Sequence, residues 1–300
     1  MISRTLNILA SLNGSFVFAV SIYPRFFILL HGVIMLAMAV GGFATAAETP
    51  RTTALKSLYK HAGMHVHLAS VYVTVIDETQ LAWRGCGNAQ NRSAVKAKIR
   101  EHLSIDVLQH EFLDQLDQRI SDEHLEQIIS WARSDAGKSI HQAELDSIEL
   151  NEASFESLLK TYKQSEIHSE ERSARLQKML AHTGAVYFLS AFNTELSALV
   201  SIASVCSDSK ELLSVAQRQI KEDRNSEALY RSLMREDLLI HSAVVYRNIS
   251  DEQLDALSTF ASSDAGDAYF TALIKGTRSL LASKVDRLSE MFETKPEKAD

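Results

Sequence analysis

Apolar residues recur along most of the chain at a spacing that predicts helices. In one run most of them lie four positions apart on a single predicted helix, at Val95, Ile99, Leu103, Val107, Leu108, Phe112 and Leu116. This spacing places the apolar side chains on one helix face. Residues 51–295 contain no proline and few glycines, which favours long helices with short connections. The predicted fold class is all-α.

One stretch of this pattern occurs twice. Residues 120–137 (ISDEHLEQIISWARSDAG) and 249–266 (ISDEQLDALSTFASSDAG) align without a gap, and ten of the eighteen positions are identical. Upstream of each copy a His-x-Gly sequence and then a cysteine recur in the same order. The chain therefore reads as two copies of one helical unit. We predict a pseudo-two-fold duplicated multi-helix array that follows an N-terminal signal segment.

Each half is predicted to contain four helices in the same order. The first spans about 53–80 and 171–203, the second 93–118 and 209–246 with an interruption near 223–226, the short repeated helix 122–133 and 251–262, and the closing helix 135–164 and 264–292. No linker rich in Gly, Ser or Pro separates the halves, so we expect one compact unit. The predicted division is 1–46 as a signal peptide, 47–168 as the first half, 169–293 as the second half and 294–300 as a flexible tail.

The repeated residues are typical of helix caps and helix ends. The first serine of each copy stands where an N-cap belongs, and the acids after it favour the positive end of a helix dipole. The second serine is expected to cap the closing helix, and the glycine three residues later suggests a tight helix crossing. Two polar Ser-Asp sites are the functional alternative. The predicted structural motif comprises Ser121, Trp131, Ser134, Gly137, Ser250, Phe260, Ser263 and Gly266.

At these residues the chain resembles the bacterial "domain of unknown function 2059" family. The shared features are a polar and acidic helix start, an apolar run, an aromatic residue and Ser-x-x-Gly. The family motif usually has proline after the serine, whereas this chain has Asp135 and Asp264. Proline and aspartate both suit a first helical turn. The resemblance implies an exported, periplasmic helical protein and supplies no catalytic residues.

The first fifty residues differ from the rest of the chain. After Arg25 come twenty-two residues without Asp, Glu, Lys or Arg, and near their end Ala44-Thr45-Ala46 is typical of a signal-peptidase site. We predict cleavage after Ala46 and a periplasmic or secreted protein. The alternative is an uncleaved segment, residues 26–47, that anchors the chain to the inner membrane. Residues 1–23 are unusual for a signal peptide and indicate a translation start downstream of Met1.

The charge of the predicted mature chain limits its partners. Without residues 1–46 it carries 29 Lys and Arg against 38 Asp and Glu, a net charge of −9. Nucleic acids and anionic membrane surfaces require clustered positive charge. Neither is therefore predicted as a partner, and membrane contact is expected only through an uncleaved N-terminal segment.

Two residue pairs are candidates for chemistry. Cys86 and Cys206 occupy equivalent positions in the two halves, so we predict a disulfide in an oxidising compartment, with two separate thiols as the alternative. His61 and His65 have the i, i+4 spacing of metal-binding helices, although a surface or interface role is the favoured interpretation. We predict no catalytic residue and no cofactor, because no nucleophile elbow, phosphate loop or dinucleotide fingerprint occurs.

The sequence predicts an exported, non-catalytic helical protein of unknown activity. We expect it to bind another envelope protein or a peptide in a groove between its halves. An exposed apolar stripe is expected to line that groove, formed by Tyr187, Phe188, Phe192, Tyr246 and Phe270. The alternatives are a small-molecule or metal-binding helical module and, last, a hydrolase.

Overall fold

The protein is all-α in the residues that its computed structural model describes, which are 49–82, 89–150, 152–164, 169–205 and 210–293. The predicted fold class is thus confirmed. Twelve helices follow one another in these residues: α1 (Pro50–His61), α2 (Met64–Ala82), α3 (Ala89–Leu103), α4 (Ile105–Asp117), α5 (Asp122–Arg133), α6 (Asp135–Glu149), α7 (Glu152–Gln164), α8 (Glu170–Thr183), α9 (Ala185–Ala203), α10 (Lys210–Val245), α11 (Asp251–Ala261) and α12 (Asp264–Glu293).

A glycine divides each of the two predicted first helices. Gly63 follows α1 and Gly184 follows α8, with φ angles of 65° and 63°. A residue in this left-handed backbone conformation ends a helix, and glycine adopts the conformation without the steric cost of a Cβ atom. The prediction of one continuous helix over 53–80 and over 171–203 was wrong, because the turn lies inside an uninterrupted apolar pattern.

Other helix boundaries also differ from the prediction. The second and the closing helix of the first half are divided at Ser104 and near Leu150, whereas α10 runs through 223–226 without the expected interruption. The charged stretch of α10 stays helical because it packs on α9, where Glu195 pairs with Arg224 at 2.6 Å. The charged residues that suggested a loop in the sequence therefore contribute to the contact between α9 and α10.

Helix α9 lies at the centre of the fold. It packs against α12, α10 and α2, and side chains such as Phe192 and Leu199 are completely buried. By length and composition α9 is apolar enough to cross a membrane, but 61% of its apolar window is buried inside the fold. That is the burial of a core helix. Helix α12 also packs against α4 and α5, so it joins the second half to the first.

The repeated motif forms the same two caps in each half. The hydroxyl oxygens of Ser121 and Ser250 accept hydrogen bonds from the backbone N–H three residues later, at 3.2 and 3.3 Å. Ser250 also takes part in a capping box with Gln253. Ser134 and Ser263 cap α6 and α12 in the same way, at 3.1 and 3.2 Å. Each cap satisfies a backbone donor that has no partner inside its helix.

The repeated glycines permit a close helix crossing. A Cβ atom on Gly137 would lie 2.3 Å from the carbonyl oxygen of Trp131, and one on Gly266 would lie 1.9 Å from that of Phe260. Both distances are far below a van der Waals contact. Glycine is therefore needed at both positions for backbone to approach backbone.

Counterpart residues of the two copies meet one another. Trp131 and Phe260 stack with ring centroids 4.3 Å apart and an interplanar angle of 10°. The counterpart helices α2 and α9 also pack together. Through the stacked rings, the ends of α5 and α11 therefore lie against each other.

An arginine joins each repeated motif to an earlier helix. Arg51 of α1 donates to two backbone carbonyl oxygens ahead of α5, at 2.7 and 2.8 Å, and pairs with Asp122. Arg172 of α8 donates to two carbonyl oxygens ahead of α11, both at 2.8 Å, and pairs with Asp251 at 2.5 Å. The same contact therefore recurs in both halves, although the sequence pattern alone did not single out these arginines.

Candidate functional site

The aromatic residues expected to form an exposed stripe are mostly covered. Phe192 is completely buried, and Phe188 and Phe270 are partly buried against the core. Tyr187 is exposed, and the guanidinium of Arg231 lies over its ring at 5.0 Å from the centroid. The prediction of an open apolar stripe was wrong, because helix packing covers these side chains.

An open cleft of about 500 Å³ lies elsewhere between the two halves. One wall is the turn after α4, from the first half, and the other is the N-terminal part of α12, from the second. Its volume is within the usual range of small-ligand sites. The lining residues are Gln118, Arg119, Asp267, Ala268, Thr271, Ala272 and Lys275.

Small side chains on α12 create the cleft. Thr271 and Ala272 follow Ala268 by three and four residues and so share its side of the helix, which leaves space beside the α4 turn. At Gly276 the two helices come together, since an added Cβ would lie 3.3 Å from the Cβ of Gln115. The cleft therefore ends just beyond Lys275.

Charged groups of both signs line the cleft. The guanidinium of Arg119 donates a hydrogen bond to the carbonyl oxygen of Gln115, at 3.0 Å. Asp267 and Lys275 form no ion pair with any other described residue. They stand eight residues apart on α12, which is about 12 Å along a helix axis. Along α12 the cleft thus presents the Asp267 carboxylate near one end and the Lys275 ammonium near the other, and the Arg119 guanidinium belongs to the opposite wall.

The histidines considered as metal ligands pack as aromatic rings. His61 stacks on His141 of α6 with ring centroids 4.2 Å apart. Burial, and then the neighbouring His141, lower the pKa of His61 to about 4, and burial also lowers the pKa of His65. Within the part of the chain that the structure describes, no group of three or more His, Cys, Asp or Glu side chains could hold a metal ion. His61 is therefore a neutral packing group at neutral pH.

A partly buried carboxyl near these histidines links the halves. Glu144 of α6 accepts a hydrogen bond from the hydroxyl of Tyr246 at 2.8 Å. Burial raises the pKa of Glu144 to about 7, and burial followed by the nearby Glu144 raises the pKa of Tyr246. This hydrogen bond joins α6 to the residue that follows α10. Neither side chain lines the cleft.

Several predicted features lie outside the described residues. These are the signal peptide at 1–46, the alternative anchor at 26–47, the tail at 294–300, and Cys86 and Cys206. The disulfide and the location of the protein stay predictions.

Sequence reasoning did not find the cleft. A local signal exists on α12, where small residues at 268, 271 and 272 lie between charges at 267 and 275. The opposite wall, at Gln118 and Arg119, comes from far away in the sequence. Its position depends on how α4 packs against α12, which no local pattern reports.

Comparison with models of known protein families, with curated proteins and with solved structures found no match to this chain. The resemblance to the "domain of unknown function 2059" family stays a prediction, and the site has to be interpreted from its own residues.

Proposed function

We propose that this chain is an exported, non-catalytic helical protein that binds a short peptide in the cleft between the α4 turn and α12. The observation that carries the proposal is the cleft of about 500 Å³ with small residues along one wall and charges of opposite sign toward its ends. Such a site can select a ligand by shape and terminal charge without any reacting group. The apolar segment before Ala46 and the family resemblance support export.

The distance between the charges suggests the length of the peptide. An extended chain advances at most about 3.3–3.6 Å per residue, so the separation of about 12 Å along α12 corresponds to roughly three or four residues. The peptide ammonium would pair with Asp267, and its carboxylate with Lys275. Ala268 and Ala272 leave room for the peptide between these ends.

We also propose that the two halves are copies of one unit. Serine caps, glycine crossings and arginine contacts recur at equivalent positions in both halves. The stacking of Trp131 on Phe260 is consistent with a pseudo-two-fold axis between them. The cleft would then be a feature of the junction between the copies.

Isothermal titration calorimetry with alanine peptides of two to six residues tests peptide binding, because these peptides probe length and terminal charge alone. We expect the highest affinity for three or four residues. Amidation of the C-terminus should weaken binding at least roughly tenfold, because a hydrogen bond to a charged group contributes about 1.5–3 kcal/mol.

Two lysine variants locate the binding site. Lys275→Ala should also weaken binding about tenfold or more, whereas Lys178→Ala removes an exposed lysine from α8 and should leave affinity unchanged. Absence of binding at millimolar peptide, or equal affinity for free and amidated peptides, would contradict the proposal.

Mass spectrometry of the chain recovered from bacterial fractions tests export. A periplasmic species that begins at Ala47 is expected. An uncleaved chain in the inner membrane would instead support an anchor at residues 26–47.

A further inference from the structure

The outer face of α10 carries an unusual set of exposed apolar side chains. Leu212, Val215, Leu229 and Leu233 are 45%, 45%, 61% and 65% exposed. We call these four residues the α10 stripe. Four exposed large apolar side chains on one helix require an explanation, since such side chains are normally scattered singly over a surface.

The spacing of the α10 stripe matches the contact face of a coiled coil. Leu212 and Val215 are three residues apart, Leu229 and Leu233 are four apart, and the positions between them continue the alternation of three and four. This repeat keeps one helix face turned toward a partner helix. The intervening positions are polar, at Gln219, Glu222 and Ser226, so the apolar contacts would form at two separate places.

The α10 stripe is also nearly palindromic. The midpoint between Leu212 and Leu233 falls between residues 222 and 223, and the midpoint between Val215 and Leu229 falls at residue 222. An isologous interface requires that residue i meets j while j meets i. Two antiparallel copies of α10 meet this requirement, because Leu212 would face Leu233 of the other copy and Val215 would face Leu229.

The charges at the centre fit the same arrangement. Arg218 and Glu222 are both exposed and lie one turn apart on the side of the α10 stripe. Around a two-fold axis at residue 222, Arg218 of each copy comes within reach of Glu222 of the other. Each Glu222 would then have an arginine from both helices, which offsets the repulsion between the two carboxylates.

We propose that the chain forms an antiparallel homodimer through the α10 stripe. The contact extends over about 32 Å of helix at 1.5 Å per residue. A single helix pair covers less than the roughly 800 Å² per partner of a standard interface, so the dimer should be concentration-dependent. The inference does not depend on peptide binding at the cleft, which lies between the α4 turn and α12.

Sedimentation velocity over 1–200 μM protein tests the dimer. The unmodified chain should shift from monomer to dimer within this range, and a Leu229→Glu/Leu233→Glu variant should stay monomeric with an unchanged circular dichroism spectrum. Ile105→Glu, at an exposed apolar residue of α4, is the matched control and should still dimerise. A chain that stays monomeric at 200 μM, or a double variant that dimerises as the unmodified chain does, would overturn the proposal.

Cysteine crosslinking tests the antiparallel direction. Leu212→Cys and Leu233→Cys variants should each give no new disulfide-linked dimer alone, and a mixture of the two should give one. The unmodified chain, with its own two cysteines, is the reference. Crosslinking of each single variant with itself would indicate a parallel pair, and no new crosslink in the mixture would place the contact elsewhere. Either result overturns the proposal.

Discussion

Replacement of Glu144 by glutamine should stabilise the folded chain at alkaline pH and have no effect at acid pH. Burial raises the pKa of this carboxyl from 4.5 to about 7, so between these values the folded chain holds a proton that the unfolded chain has released. A raised carboxyl pKa gives stability that is complete below pH 4.5 and declines as the pH rises to 7. At about 1.4 kcal/mol per pKa unit, the decline reaches at most about 3.5 kcal/mol.

Glutamine retains an oxygen that can accept the hydrogen bond from Tyr246, so the substitution removes the charge and little else. Urea unfolding at pH 4, 6 and 8, followed by circular dichroism, measures the free energy of unfolding of both proteins. The expected difference is near zero at pH 4 and about 2–3 kcal/mol in favour of the variant at pH 8. The two proteins differ only at residue 144, so the difference at each pH reports on this side chain.

The control for this experiment is Glu156→Gln, at an exposed residue of α7, which should show no pH-dependent difference. The reasoning would be refuted by a Glu144→Gln difference that is the same at every pH. It would equally be refuted by a variant that is less stable than the unmodified chain at pH 8.

Two further substitutions, each with a control variant, test a helix crossing and a buried ion pair. Gly266→Ala should destabilise the chain by about 1–3 kcal/mol, because its Cβ would lie 1.9 Å from a carbonyl oxygen of α11. Gly276→Ala, with the nearest atom at 3.3 Å, should lower the Tm much less, and equal shifts would count against a tight crossing. Glu111→Gln should cost about 3 kcal/mol in urea unfolding, because it leaves the fully buried Lys284 without the carboxylate 2.6 Å away. Glu101→Gln breaks an exposed pair and should have a much smaller effect on the urea midpoint, because water screens such pairs; similar effects for both variants would show that Lys284 needs no charged partner.

Features that depend on neighbouring residues were predicted well from the sequence. Ser121 and Ser250 cap their helices because the side-chain oxygen and the N–H it accepts from are three residues apart. Gly137 and Gly266 were expected to permit a crossing, and the added-Cβ distances support that reading. The all-α class follows similarly from spacing and from the near absence of proline.

Features that depend on distant residues were missed. The charged stretch of α10 suggested a loop, because the sequence does not show that Arg224 pairs with Glu195 of α9. Phe192 was expected in an exposed stripe, but the helices that pack around α9 bury it completely. The two walls of the cleft are separated by well over a hundred residues, and no periodicity in either segment predicts that they meet.

The two proposed binding surfaces lie where the halves of the chain differ. The first half has α3 and α4 where the second has the uninterrupted α10, and it has α6 and α7 where the second has the uninterrupted α12. The α10 stripe extends over 212–233, which requires an unbroken helix, because a break such as that at Ser104 would turn the apolar positions away from one face. The wall of the cleft likewise requires an unbroken face from Asp267 to Lys275. The repeated motif is nearly the same in both halves and determines where helices begin and how they cross. It therefore stabilises the helices that carry both surfaces and forms neither surface itself. Both proposed surfaces therefore depend on the long helices of the second half, and substitutions in the repeated motif should reduce stability before they alter binding.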